Sequence, residues 1–382
     1  MKRKLYIIFD RFHSTEAGGL VSAYVSLYDL LKNDYDIEII SVMNAEGENH
    51  DRLKDVKVHY LTKTDFFPRL KVLVQAVKKF RFHIVLKEIF NLIRYLAFIP
   101  FAKKKMNRII SNNDIVISTS PAASMYIPKN VKFIQEIHTK FEYFWGTNKL
   151  GRLQSKLMSK PYITVFRTKS DMEKGSPYFN STYSYNFIDK DVFDHTISIG
   201  DKKRKYKIIY MGRFVKEKNL PKMIECAKQL KKKIPDFTLD MYGTGVLVEN
   251  ISKLIHENGL EKNVHLCGFS SDKNIFDNYS LLWLTSDFEG FGLVIIEAKA
   301  KGVPTISTNW GEGVFEVIHD KEDGFVENSV DAFVKRTKDL LLDEKSLIQV
   351  SKNALNNFDE FSKENAYKRW IQLLKEFEGE LE

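Results

Sequence analysis

The run Ser286-Asp287-Phe288-Glu289-Gly290-Phe291-Gly292-Leu293-Val294-Ile295-Ile296-Glu297-Ala298, with Gly302-Val303-Pro304 shortly after it, is the densest chemical signal in the sequence. It follows Leu281–Leu284, a short apolar run of strand type, and passes into helical spacing. Two glycines flanking an aromatic at a strand-to-helix turn let a ligand approach the backbone closely and leave the first amides of the helix open. A helix starting near Gly292 would aim its positive end at a phosphate or sugar oxygen. Glu289 sits in the turn and Glu297 lies roughly one and a half turns into the helix, so two carboxylates can serve different parts of one ligand. Either glutamate alone reads as well as a solvated acid near a helix start; the whole string does not.

Phosphate chemistry is suggested again at Met211-Gly212-Arg213-Phe214-Val215-Lys216-Glu217-Lys218, directly after another strand candidate. Arg offers phosphate a planar fork and Lys a mobile point charge. Taken alone, Arg213 could instead form a salt bridge between domains. Glycine turns recur at Tyr242-Gly243-Thr244-Gly245, at Leu266-Cys267-Gly268-Phe269 and at Gly18-Gly19, and His138 stands directly after the strand candidate Lys132–Ile137. A lone histidine there is more often a satisfied core residue than a catalyst.

The Glu289 to Glu297 string resembles the E-x7-E signature of glycosyltransferase family 4, retaining enzymes with the GT-B fold. The other strings resemble that family's further elements in order, ending the first half with Tyr185-Asn186-Phe187-Ile188-Asp189. The resemblance is strong over about 206–325 and weaker before it, with Thr168 a departure where many relatives carry Ser. It implies two Rossmann-like doubly wound α/β domains facing each other across a cleft. It also implies transfer of a sugar from a nucleotide-diphosphate donor, expected to be a UDP-sugar, to a hydroxyl of a surface-glycan or lipid-linked acceptor. His138, at the sugar ring near the reacting carbon, and Glu289, on the donor hydroxyls, are the implied catalytic residues. Implied donor contacts are Gly18, Gly19, Arg213, Lys218, Gly243, Gly268, Phe269, Gly290, Phe291, Gly292, Leu293 and, on the ribose, Glu297. No metal or other cofactor is expected, because Arg213, Lys218 and helix-terminal amides can neutralise the departing diphosphate. The acceptor hydroxyl on the donor's own face is the implied nucleophile; double displacement through an enzyme carboxylate stays open.

Short β-rich runs alternate with helical patterns throughout, which is α/β wiring with parallel sheets. Strands are expected at Leu5–Phe9, Ile37–Val42, Val56–Leu61, Ile115–Ser118, Lys132–Ile137 and Ile163–Phe166, with a helix from about Leu20 to Leu31. The pattern restarts at Lys207–Met211, Thr238–Tyr242, Val264–Cys267, Leu281–Leu284 and Thr305–Ser307. An N-terminal, acceptor-side domain is therefore expected over 1–195 and a nucleotide-sugar-binding domain over 206–361, joined by a linker at 190–205. The resemblance adds that residues from about 362 to 382 return to the first domain.

With 382 residues, 43% hydrophobic and 13% aromatic, the chain can bury a sizeable core, which excludes disorder, collagen-like repeats and a disulfide-stapled scaffold. Its two cysteines, Cys226 and Cys267, read as reduced thiols. The net charge of +9 is concentrated between Phe67 and Arg108, where eleven Lys or Arg face Glu88 alone. Leu70, Leu73, Val77 and Phe80, then Leu86, Ile89 or Phe90, Ile93, Leu96 and Ala97, recur there at helical spacing beside cations. Such helices suit an anionic membrane surface, with Lys78, Lys79, Arg81, Lys103, Lys104 and Lys105 as the surface cations. They suit equally well core helices with solvated lysine faces.

The apolar run after Met1-Lys2-Arg3-Lys4 stops at Asp10, a buried strand and not a signal segment, and no stretch approaches spanning length. A cytoplasmic protein, peripheral on the inner face of the cell membrane, is expected. No nucleic-acid motif accompanies the basic segment, so no nucleic-acid partner is expected. Asp34-Tyr35-Asp36 and Asp189-Lys190-Asp191 spell a metal-nucleotide triplet, but the first precedes a strand instead of ending one, and so short a match arises often by chance. Two rivals remain: a same-fold nucleotide-sugar epimerase or phosphorylase, and a non-catalytic basic membrane or nucleic-acid binding module.

Overall fold

The computed structural model describes residues 2–12, 19–44, 53, 55–64, 70–145, 159–189, 205–272, 274–379 and 381. The chain divides into two compact units. The first takes in residues 1–167, 171–184 and 367–382, the second 168–170 and 185–366.

The first unit is built on a seven-stranded parallel sheet in the order β3-β2-β1-β4-β5-β6-β7. Its strands are β1 (Lys4–Arg11), β2 (Asp36–Met43), β3 (Val58–Tyr60), β4 (Ile115–Ser118), β5 (Ile134–Ile137), β6 (Ile163–Phe166) and β7 (Ser181–Tyr183). Leu5–Phe9 and Ile115–Ile117 are buried without alternation, as strands covered on both faces must be. The register Leu5↔Ile37 and Leu5↔Ile115 places β1 between β2 and β4. Tyr95, Ala102 and Met106 of the helix Phe82–Met106 join Ile8, Val116, Tyr126 and Phe133 in one buried cluster.

The second unit repeats the plan with six parallel strands in the order β10-β9-β8-β11-β12-β13. These are β8 (Lys207–Met211), β9 (Thr238–Tyr242), β10 (Val264–Gly268), β11 (Leu281–Leu284), β12 (Thr305–Thr308) and β13 (Gly324–Glu327). Trp283 of β11 is fully buried, its indole N–H donating to Thr337 Oγ1 at 3.1 Å, so the ring's one polar atom is satisfied inside the core. In both sheets the strand order reverses beside the first strand, at β1/β4 and at β8/β11. The carboxyl ends of those strands are where an open α/β sheet offers a ligand crevice.

The expected strands are all present; β7 and β13, short edge strands, were not anticipated, and β3 is shorter than the expected Val56–Leu61. The linker residues 190–204 lie outside the described residues. The last helix, Lys363–Gly379, contributes Trp370, Leu374 and Phe377 as buried side chains. From Tyr367 onward it belongs to the first unit: Phe377 packs edge-on against Tyr162 at 5.5 Å, and the Tyr367 hydroxyl donates to Asp34 at 3.1 Å. Cys226 is buried, with its thiol pushed up to about 12 by burial, and Cys267 is exposed. Among the described residues no helix is long and apolar enough to cross a membrane.

Candidate active site

In the second unit, β8 and β11 end side by side and hand over to two turns that bind each other. After β8 the chain runs through Gly212 and Arg213 into a 3-10 turn at Lys216–Lys218, then through Asn219 (φ +44°) into the helix Leu220–Lys231. After β11, Thr285 Oγ1 donates to the carbonyls of Lys218 and Asn219 at 3.2 and 3.1 Å, and the Asp287 amide donates to the Glu217 carbonyl at 3.0 Å. Asn219 Nδ2 completes the clamp on Asp287 Oδ1 at 2.8 Å. These bonds place Lys218 Nζ 2.5 Å from Glu289 Oε1, which also accepts from Ser286 Oγ at 2.7 Å. Glu289 is buried and Lys218 nearly so, so the pair sits where charge is weakly screened.

Glycines fix the rest. Gly292 takes φ +85° as it opens the helix Leu293–Ala300, and an added Cβ there would meet Ile295 at 2.8 Å. At Gly243 (φ +138°) a Cβ would sit 1.9 Å from the Gly212 carbonyl oxygen. That contact is close because the Gly212 amide donates to Tyr242 O at 3.0 Å and the Phe214 amide to Thr244 O at 2.8 Å, lacing the turn after β9 onto the turn after β8.

The other expected donor residues fall as follows. Arg213 is exposed, and its carbonyl accepts from the Tyr210 hydroxyl at 3.0 Å. Gly268 (φ +71°) ends β10 in open space, and Phe269 is 65% exposed, available for stacking. Gly290, Leu293 and Glu297 are half-buried. The Phe291 ring is buried beside Tyr185 and Phe361, where it packs the turn. The helix is anchored at its far end by Lys299, whose ammonium lies 2.8 Å from Asp323 in a fully buried pair.

The first unit holds His138 at the end of β5. Its Nε2 lies 2.8 Å from the Tyr24 hydroxyl, which is also 3.2 Å from the Thr119 carbonyl. A phenol has one proton; if it goes to the carbonyl, Nε2 carries a proton and donates to the phenol oxygen. Glu136, two residues earlier on the same face of β5, has Oε2 3.6 Å from Nε2. Its Oε1 is gripped by the Arg167 guanidinium, whose NH1 donates to Ser184 O at 3.2 Å. Burial, and then the nearby Arg167 charge, push the His138 imidazole below its ordinary value against the pull of Glu136. Burial alone would raise Glu136, but Arg167 and His138 outweigh it and hold its carboxyl below the usual range. Tyr24, Glu136 and Arg167 were not expected from the sequence. The available signal was Glu136 and His138 alternating at the end of a buried strand.

Gly18 lies outside the described residues, and Gly19 opens the helix Gly19–Leu31. Of the expected surface cations, Lys78, Lys79, Arg81 and Lys104 are exposed and Lys103 is half-buried. Lys105 turns inward, donating to the carbonyls of Leu61 and Tyr60 at 2.9 and 3.3 Å. Leu86, Ile89, Phe90, Ile93 and Leu96 are exposed, so they are not core residues.

These turns lie at the carboxyl ends of two doubly wound parallel sheets, which is the plan of the GT-B fold. Residues 193–357, less than half of the chain, match the family model of group 1 glycosyl transferases. An uncharacterized glycosyltransferase of Haemophilus influenzae is 25% identical over 371 residues, 94% of this chain and 96% of that protein. A poly(glycerol-phosphate) alpha-glucosyltransferase of Bacillus subtilis is 27% identical over 194 residues; the match takes in half of this chain and spans only 28% of that relative's length. The structure of Anabaena HepE in complex with UDP and glucose superimposes over 98% of this chain and all of that one, with a TM-score of 0.73 at 14% identity.

Proposed function

We propose that the protein is a retaining, metal-independent glycosyltransferase that moves a sugar from a UDP-sugar to a hydroxyl of a surface-glycan or lipid-linked acceptor, working on the cytoplasmic face of a membrane. The observation that carries this reading is the Lys218–Glu289 pair at the β8/β11 crevice, beside a helix opened by Gly292. Breaking the sugar–phosphate bond develops negative charge on the departing diphosphate, and the half-buried Lys218 ammonium, an exposed guanidinium at Arg213 and helix-terminal amides stabilise it where it appears. In this reading Lys218 exchanges Glu289 for phosphate when the donor enters, freeing the carboxylate for the sugar hydroxyls. The acceptor oxygen forms its bond to the anomeric carbon as the carbon–oxygen bond to phosphate breaks, and the acceptor's proton passes to the phosphate oxygen. The alpha-glucosyl product named for the Bacillus relative and the UDP held by HepE support the stereochemistry and the donor. The net charge of +10 between residues 67 and 108 supports an anionic surface as the working site.

Thermal-shift screening against nucleotides and nucleotide sugars in chelator tests the donor. A saturating ligand at a hundredfold excess over its Kd adds about 2.7 kcal/mol of stability. A shift with UDP or one UDP-sugar is expected; a cooperative melt unmoved by any nucleotide sinks the reading.

A further inference from the structure

We infer that the outward face of the helix Phe82–Met106 is the surface by which this protein lies on an anionic lipid bilayer. The inference deepens the membrane clause of the proposed function and rests on it, but its own support is geometric.

A helix packed on a sheet ordinarily turns its apolar side inward. This one has few buried residues, Glu88, Tyr95, Ala102 and Met106, on one line about seven residues apart. On the opposite side Phe82, Leu86, Phe90, Ile93, Leu96 and Phe101 recur every three to five residues, and each is 42–70% exposed. At 1.5 Å per residue this apolar stripe runs for about 28 Å, far longer than scattered exposed side chains would give. The only acid in the helix, Glu88, is on the buried side. Exposed cations stand along the stripe: Lys87 on one flank, Arg94 with its guanidinium 5.7 Å from the Phe90 ring centre, and Lys104 near the far end.

Apolar side chains in a row, bordered by cations and free of exposed acids, match the boundary between acyl chains and anionic headgroups. A helix lying in that plane buries the row while its cations meet phosphates. The charge argues against a second copy as the occupant, since two faces of this kind would repel. The helix is too charged to span, in keeping with the absence of spanning helices among the described residues.

The test is flotation of the full-length protein with vesicles of phosphatidylcholine alone or mixed with phosphatidylglycerol, at low and high salt. Binding to the anionic vesicles, weakened by salt, is expected. Phe90→Glu with Ile93→Glu should lower partitioning at least tenfold, whereas Leu342→Glu, at an exposed apolar site of the second unit, should leave it unchanged. Should the double variant fail to fold, Lys87→Glu with Lys104→Glu tests the same face and should lower anionic binding severalfold. Absence of wild-type binding, or full binding by both face variants, overturns the inference. So does a concentration-dependent dimer that Ile93→Glu dissolves while vesicles stay unbound. Nucleotide thermal shifts on the same preparations separate the two readings: a UDP shift without vesicle binding sinks the docking face alone, and vesicle binding without any nucleotide shift sinks the transferase reading alone.

Discussion

Lys218 and Glu289 are 71 residues apart in the chain, yet their charged atoms lie 2.5 Å from each other because the turns after β8 and β11 are hydrogen-bonded together. The two bonds described for Glu289 both land on Oε1, from Lys218 and from Ser286. Both donors therefore hold the same carboxylate oxygen.

Glu289→Gln and Lys218→Ala should each lower sugar transfer on the order of a hundredfold or more, the scale lost when a preorganised charge at a reacting centre is removed. Both variants should still melt cooperatively. Product assays beside melting curves check this; full activity in both variants would end the assignment of these residues to the site.

His138 makes stability pH-dependent in a known direction. Its folded-state value is depressed, so below the ordinary 6.5 the unfolded chain binds a proton that the folded chain does not, and stability falls as pH drops through that window. His138→Asn should flatten the stability curve between about pH 6.5 and 5, where Glu136, itself held low, does not titrate. Urea titrations at pH 7.5 and 5.5 measure it, and an unchanged pH slope in the variant would contradict the buried-imidazole account.

Gly243→Ala and Gly259→Ala place the same methyl in two very different surroundings. At Gly243 it meets the Gly212 carbonyl oxygen at 1.9 Å; at Gly259 (φ +61°) nothing lies within 4 Å. The first should cost about 3 kcal/mol or more and weaken UDP binding by parting the laced turns. The second should cost about 1–2 kcal/mol, the backbone term alone. Denaturant curves for the pair compare them directly.

The buried Lys299–Asp323 pair should be expensive to break from one side. Lys299→Met leaves Asp323 with His319 and Asn357 but without its cation, at a cost of about 3–5 kcal/mol. Its effect on the site should come through the helix it anchors, seen as weaker nucleotide binding with the protein still folded.

The alternation of strands and helices was legible because buried parallel strands such as Leu5–Phe9 and Leu281–Leu284 are unbroken apolar runs bounded by polar residues, Lys4 and Asp10 for the first, Ser280 and Thr285 for the second. β7, with the half-buried Ser181-Thr182-Tyr183, and β13, which begins with a glycine, carry no such run. Glu289, Lys218 and Arg213 could be picked out because the chemistry of an ammonium, a guanidinium and a carboxylate at strand ends is visible in their types. Tyr24, Glu136 and Arg167 were hidden for another reason: which side chains meet His138 depends on the pairing of β5 with β6, Ile137 opposite Phe166, and one-dimensional spacing does not contain that register. The outward face of the Phe82–Met106 helix was hidden similarly, since periodicity locates an apolar stripe without saying whether protein covers it.

The last helix bears on how the chain acquires its fold during synthesis. The second unit, residues 168–170 and 185–366, is complete in the emerging polypeptide before Trp370, Leu374 and Phe377 arrive to close the core of the first. The segment made first is thus finished last, since buried side chains of its unit are among the last residues to be made. Ribosome-bound chains ending near residue 366 should accordingly be a substrate for chaperones, a dependence that the finished protein no longer has.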